Sequence, residues 1–291
     1  MRGRLKHSEK HGAQRFADGP TQNSCPKCRP TMRNCLLPFF VSGIFAAISA
    51  CGQEPAAAPS PIATDRPAFT DSSVVIPSGT LQLENGVLDT SSDGQPSILD
   101  FPETLLRLGI APKTELRLTA PDYFYRVGSA PLGPGFGDIV IGLKQQVGPT
   151  PGGFDLSLVF ALSCPSGAKA VSSGGYDPQV QAPWSRALSA KWTAAGMLAV
   201  YWPTEGTRRN LTGQSTWELD RQLRSSWDAF VEYAGEFPHR GGPESILHFG
   251  TAYRISNNQQ LDFHAGFGLS SAAPDRIIGI GYSFRFRAFH H

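Results

Sequence analysis

The sequence predicts an all-β fold, an antiparallel transmembrane β-barrel of about twelve strands with short periplasmic turns and longer extracellular loops. Three observations predict it. Runs of alternating residues recur from Thr80 to the C-terminus, with turn residues between them. The connections sort by parity, short after even-numbered runs and mostly long after odd ones. The last two runs, from Leu261 to Leu269 and from Ile278 to Phe286, set an apolar, aromatic face against one of glycine and isolated polar groups. Side chains on a strand alternate, so each run is a ribbon with one face fit for hydrocarbon and one for a polar interior.

Composition agrees with this class. Only 17% of the 291 residues are charged and the formal net charge is +2, which argues against a nucleic-acid-binding protein. The 31 glycines and 24 prolines favour many turns over long helices. One long apolar stretch, 36–50, falls short of the ~20 residues of a spanning helix.

That stretch reads as the core of a signal peptide, preceded by Met32-Arg-Asn and followed by small residues. Residues 1–52 are therefore expected to be leader, with Met32 as the expected start and a long leader from Met1 as the alternative. Ordinary cleavage near Ala50 to Gly52 is the expectation, since a barrel needs no lipid anchor; lipidation of Cys51 is the alternative, because Ile48-Ser-Ala-Cys51 resembles a lipobox. Cys25 and Cys28 lie in the leader without a second pair to complete a zinc site, so neither metal nor other cofactor is expected. An Ala/Pro-rich linker and the segment from Thr64 fill 53–79, read as periplasmic, and the barrel occupies 80–289.

Strands are expected at 80–90, 98–110, 114–127, 137–147, 154–163, 179–188, 191–202, 211–222, 227–237, 245–255, 260–270 and 276–287. Alternation then names the lumen-facing candidates: Glu84, Arg107, Glu115, Arg117, Lys144, Glu218, Asp220, Glu232, Arg254, Asp262, His264 and Arg285. Both signs occur, so opposite charges can pair across neighbouring strands. Such pairing, rather than solute contact, is the ordinary role of a charge held inside a barrel. About twelve strands make a lumen wider than side chains alone fill. It is then either a narrow polar pore or one partly closed by ion pairs and by 63–78 folding in. Phe267 is expected to face lipid near mid-membrane, and tryptophans to mark the headgroup boundary.

Several stretches resemble a family of bacterial outer-membrane proteins labelled "transporter" or "MetA-pathway of phenol degradation". They are Thr64-Asp-Arg-Pro-Ala-Phe-Thr70, the run from Phe136 to Lys144, the run from Asp177 to Arg186, and blocks from Thr251 to Phe284. The resemblance implies an outer-membrane β-barrel, associated in some members with uptake of small aromatic compounds. It carries no residue-by-residue site.

The leading expectation is passive passage of small molecules across the outer membrane, hydrophobic or aromatic compounds among them. The expected partners are outer-membrane lipids, the barrel-assembly machinery and a small-molecule solute, with no nucleic acid. A structural or lipid-anchored binding protein is the alternative. A barrel hydrolase ranks below both: Gly-x-Ser-x-Gly is absent, His239 and His264 are the only candidate bases, and His248 has no acid beside it in sequence.

Overall fold

The computed structural model describes residues 60–92, 94–127 and 135–289. The leader at 1–52, Cys51, the linker up to residue 59 and the terminal histidines lie outside the described residues. No helix among the described residues is long and apolar enough to cross a membrane, a statement that does not bear on strands.

The chain closes into an antiparallel barrel of twelve staves. The first is β1 (Thr80–Ser91); the second is interrupted and consists of β2 (Ser97–Phe101) and β3 (Leu105–Ala111). The third is β4 (Thr114–Thr119) with β5 (Tyr123–Val127), and the fourth β6 (Gly135–Phe136) with β7 (Ile139–Gln146). Then come β8 (Asp155–Cys164), β9 (Asp177–Ala187) and β10 (Trp192–Tyr201). A small hairpin of β11 (Thr204–Glu205) and β12 (Arg208–Arg209) decorates the next loop. The last five staves are β13 (Thr212–Arg224), β14 (Trp227–Pro238), β15 (Glu244–Ser256), β16 (Gln259–Gly268) and β17 (Arg276–Arg287).

Each stave pairs with its sequence neighbours, and β17 pairs with β1 from Thr80↔Arg287 to Ser91↔Arg276. That last ladder removes both sheet edges, so every backbone group inside the bilayer can be satisfied without water. The interruptions at Pro102 and Pro121 follow from proline's missing N–H, which cannot serve a ladder. Around them Gly86 N–H donates to the Pro102 carbonyl and Ala120 N–H to that of Thr104, so the wall stays stitched.

Faces follow the alternation. On β17, Ile277, Gly279, Gly281, Ser283 and Arg285 are buried inside, while Ile278, Ile280, Tyr282 and Phe286 are exposed to the outside. Exposed Leu116, Ile141, Phe160, Trp217, Phe249 and Phe263 continue the apolar outer band. Phe267 faces outward as expected, but it is the penultimate residue of β16, opposite Arg276. It therefore sits at the long-loop rim, and Phe263, opposite Ile280, occupies the middle of the stave.

The inside is not a conventional core. Among the largest fully buried side chains are Arg107, Lys144, His248, Gln82, Glu84, Glu115 and Glu232. What packs against them is residues 61–78. Of the two arrangements open at the level of sequence, this segment lies within the ring, so the reading of 53–79 as a periplasmic stretch is corrected for its second half. Its apolar ends Ile62 and Ile76 are buried, and its polar middle meets inward side chains of the wall.

Candidate functional site

The inserted segment enters and leaves at the short-turn end. The Gln82 side chain donates to the Ala63 carbonyl and the Gln260 side chain to Thr64 Oγ1, both close to stave ends. The chain rises to Arg66–Thr70, turns back through a hydrogen bond from Ser72 N–H to Asp65 Oδ1, and descends to Pro77. A Cβ at Gly109 would lie 2.2 Å from the Pro77 carbonyl oxygen, so only glycine lets the wall pass the segment there.

Asp65 is the centre of charge. Its carboxylate lies 2.5 Å from Arg117, 3.2 Å from Arg107 and 3.4 Å from Lys144. These three cations stand on β3, β4 and β7, adjacent on one wall. Burial opposes ionisation of Asp65, but Arg107, Arg117 and Lys144 outweigh it and hold the carboxyl well below the usual carboxylate range. Arg107 is divided among Asp65, Glu84 at 3.0 Å and Glu115 at 2.9 Å. Glu84 also accepts the backbone N–H groups of Asp65 and Arg66, and Glu115 that of Ile76. Asp71, paired with Arg117 at 3.1 Å, differs. Burial and then the Asp65 carboxylate push it up to about 6, against the pull of Arg117 and Lys144.

Arg66 crosses to the closing seam. It donates to Glu103 at 2.5 Å and to Asp262 at 3.3 Å. Glu103 sits in the left-handed region at φ 45°, between β2 and β3, where its carboxylate meets Arg66. The guanidinium lies against the facing glycines Gly86 and Gly281; a Cβ on either would fall 2.3 Å from it. The glycine-rich inner face read from the sequence is thus, at this level, the bed of one arginine.

The far wall holds the bend of the segment. Glu232 accepts the N–H groups of Phe69 and Thr70 and the Thr70 hydroxyl, and Thr70 Oγ1 lies 2.5 Å from Thr216 Oγ1. Glu232 also lies 2.7 Å from His248 Nδ1, and His248 Nε2 lies 2.9 Å from His264 Nδ1. The reading that no acid stands beside His248 is corrected here. Glu232 is directly opposite it across the β14–β15 ladder, a neighbour that linear sequence does not show. Phe69 and Phe230 pack on the same imidazole. The Thr70 hydroxyl bonds to the Glu232 carboxylate and to the Thr216 hydroxyl, and not to an imidazole.

Glu84, Arg107, Glu115, Arg117, Lys144, Glu232 and Asp262 therefore gather around the segment, and His264 joins through His248. The remaining candidates stand apart. Glu218 faces Glu232 across the β13–β14 ladder, with Asp220 next on the same face. Arg254 pairs with Asp228 and donates to the Ser225 carbonyl in a short turn. Arg285 is held by Asn257 and Asn258 in another. Sequence reasoning missed Gln82, Ser157, Ser185, Thr216 and His248. Ser157 donates to the Ser73 carbonyl, and Ser185 Oγ lies 2.7 Å from Ser73 Oγ. All five share the inner register with the residues it named, and a search restricted to ionisable groups with a visible partner passes over them. No cluster of metal-binding residues occurs among the described residues.

Residues 64–286 match the family model described as "Putative MetA-pathway of phenol degradation". Among solved structures, the chain is similar to an outer-membrane channel from Pseudomonas putida F1, with a TM-score of 0.58 at 13% identity, covering 73% of this chain and 97% of that one. It is also similar to the NanC porin, with a TM-score of 0.49 at 8% identity over 70% and 98% of the two chains. At these identities the first likeness speaks for the barrel fold alone, and the second adds no argument. Among curated proteins none is similar enough in sequence to count as a relative.

Proposed function

Because the chain belongs to the family described as putative MetA-pathway of phenol degradation, and folds as a closed outer-membrane barrel, we propose that it is a passive channel for small hydrophobic or aromatic solutes. Its conductance is set by the inserted segment. One observation carries the reading. The interior is occupied by a stretch of the same chain, 61–78, held to the wall through hydrogen bonds and ion pairs. A barrel built only for structure has no need of a lumen that its own strands leave open.

Energy coupling plays no part in this mechanism. Solute moves down its gradient when the segment yields, and the mixed charges of the wall disfavour free ions. Export through the leader and final residence in the outer membrane, with the assembly machinery and surrounding lipid as partners, complete the proposal.

The test is a tether. Ser73 and Ser185 place their oxygens 2.7 Å apart, close enough for a disulfide once both are cysteine. Ser73→Cys/Ser185→Cys, combined with Cys164→Ser, is reconstituted into liposomes. Permeation of a small phenol should fall on oxidation and return on reduction. Equal permeation in both states would show that the segment does not control passage. Absence of permeation in wild type and in a chain lacking 61–78 would favour the structural alternative.

A further inference from the structure

The outer face carries a feature that the channel reading leaves unused. Arg186 on β9 and Arg221 on β13 point to the lipid side, both exposed, in the same register class as Trp184 and Trp217. An arginine facing hydrocarbon is costly at the midplane and costs little near the interface, so these belong at a headgroup level. Their place in the staves agrees, since Arg186 is one residue from the end of β9 and Arg221 faces Trp192, the first residue of β10.

Each is laid over an aromatic ring at 5.0 Å, Arg186 on Phe154 and Arg221 on Trp192. Stacking orients a guanidinium while leaving its N–H edge free for an anion. Lys191, exposed in the turn between them, adds a third cation. Among the described residues no carboxylate pairs with any of the three. Above them the outer face of β10 is small, with Ala194 level with Arg186 on one side and Leu219 on the other, and Gly196 beneath Trp184 and Trp217. Exposed Leu198, Leu219 and Trp217 continue the apolar surface toward the membrane centre.

We propose that this patch binds an anionic glycerophospholipid of the periplasmic leaflet. Its phosphate lies within the triangle of Arg186, Lys191 and Arg221, and its acyl chains run over Ala194 toward Leu198. The short turns face the periplasm, so the leaflet in contact is the one built of glycerophospholipid. Three unpaired cations beside an apolar strip match a negatively charged headgroup and not a zwitterionic one.

Native mass spectrometry of the detergent-purified full chain, titrated with phosphatidylglycerol or phosphatidylcholine, tests this directly. Wild type should retain phosphatidylglycerol in preference. Arg186→Gln and Arg221→Gln should each weaken its retention about fivefold, with phosphatidylcholine unchanged. Arg208→Gln, in the hairpin at the long-loop end, should have no effect. Arg186→Lys/Arg221→Lys keeps the charges and should preserve the preference even if the glutamine variants assemble poorly. Equal retention of the two lipids by wild type would overturn the proposal. So would a preference that survives in Arg186→Gln/Arg221→Gln. The readout is lipid retention and does not depend on solute passage.

Discussion

Asp65 and Arg107 form an ion pair at 3.2 Å across the boundary between the inserted segment and the wall, and the Arg107 side chain has no solvent exposure. Removing one member of such a buried pair typically costs ~3–5 kcal/mol, because the other is left charged and dry. Asp65→Ala should therefore release the segment while the barrel survives, and solute flux into liposomes should rise. Arg107→Met strands Glu84 and Glu115 as well and should lower the temperature at which the folded gel band is lost. Unchanged flux in Asp65→Ala would mean that the remaining anchors suffice.

The pH response follows from Asp71. Its pKa in the docked state is raised to about 6 from an ordinary 3.8. The docked form thus binds the proton more tightly, and the contribution to docking is present at low pH and lost as pH rises through about 6. Lowering pH from 7.5 to 5 should close the channel further. Asp71→Asn should reduce that step. An opening on mild acidification would contradict this. Asp65, held far below that range, stays charged throughout.

Facing is tested at two neighbouring staves. Phe263→Arg places a cation on the lipid side at mid-stave and should cost ~2–4 kcal/mol, seen as lost heat-modifiability. Gly279→Ala is a smaller change with an inward consequence, because its Cβ would fall 2.1 Å from His264 Nε2. It should displace His264 from His248 and perturb their imidazole NMR signals while the barrel still assembles. The inverse pattern would reverse the faces.

Truncation before Tyr282 removes the pairing of 80–85 with 282–287. Gln82 and Glu84, which hold Ala63, Asp65 and Arg66, would then lie on an open edge. The shortened chain should be degraded before reaching the outer membrane. Its recovery as a heat-modifiable species would require a different closing strand.

The wall was legible in the sequence because period-two alternation is a local property, and strands expected at 227–237 and 276–287 end within a residue of those observed. The inner register was legible for the same reason, which is how Glu84, Arg107 and Glu232 were named. What could not be read is what they touch. Asp65 meets Lys144 from 79 residues away and Arg66 meets Asp262 from 196; no local pattern encodes such distances. The acid of His248 was hidden likewise, sixteen positions back on the neighbouring strand. The glycines of β17 carried a visible signal, a face too small for a filled interior, but its meaning depended on Arg66.

The inserted segment has a consequence for shape. Its contacts reach β1, β3, β4, β8, β9, β13, β14 and β16 in turn, through Glu84, Arg107, Glu115, Ser157, Ser185, Thr216, Glu232 and Asp262. A sheet rolled into a ring resists stretching along its hydrogen bonds but flattens easily, since flattening only alters twist between neighbours. A strut fastened to opposite walls removes that freedom. With the segment docked the cross-section is held to one outline, and with it withdrawn the same ladders can follow an oval. Withdrawal, were it to occur as proposed, would change the flexural stiffness of the whole ring as well as clear its bore.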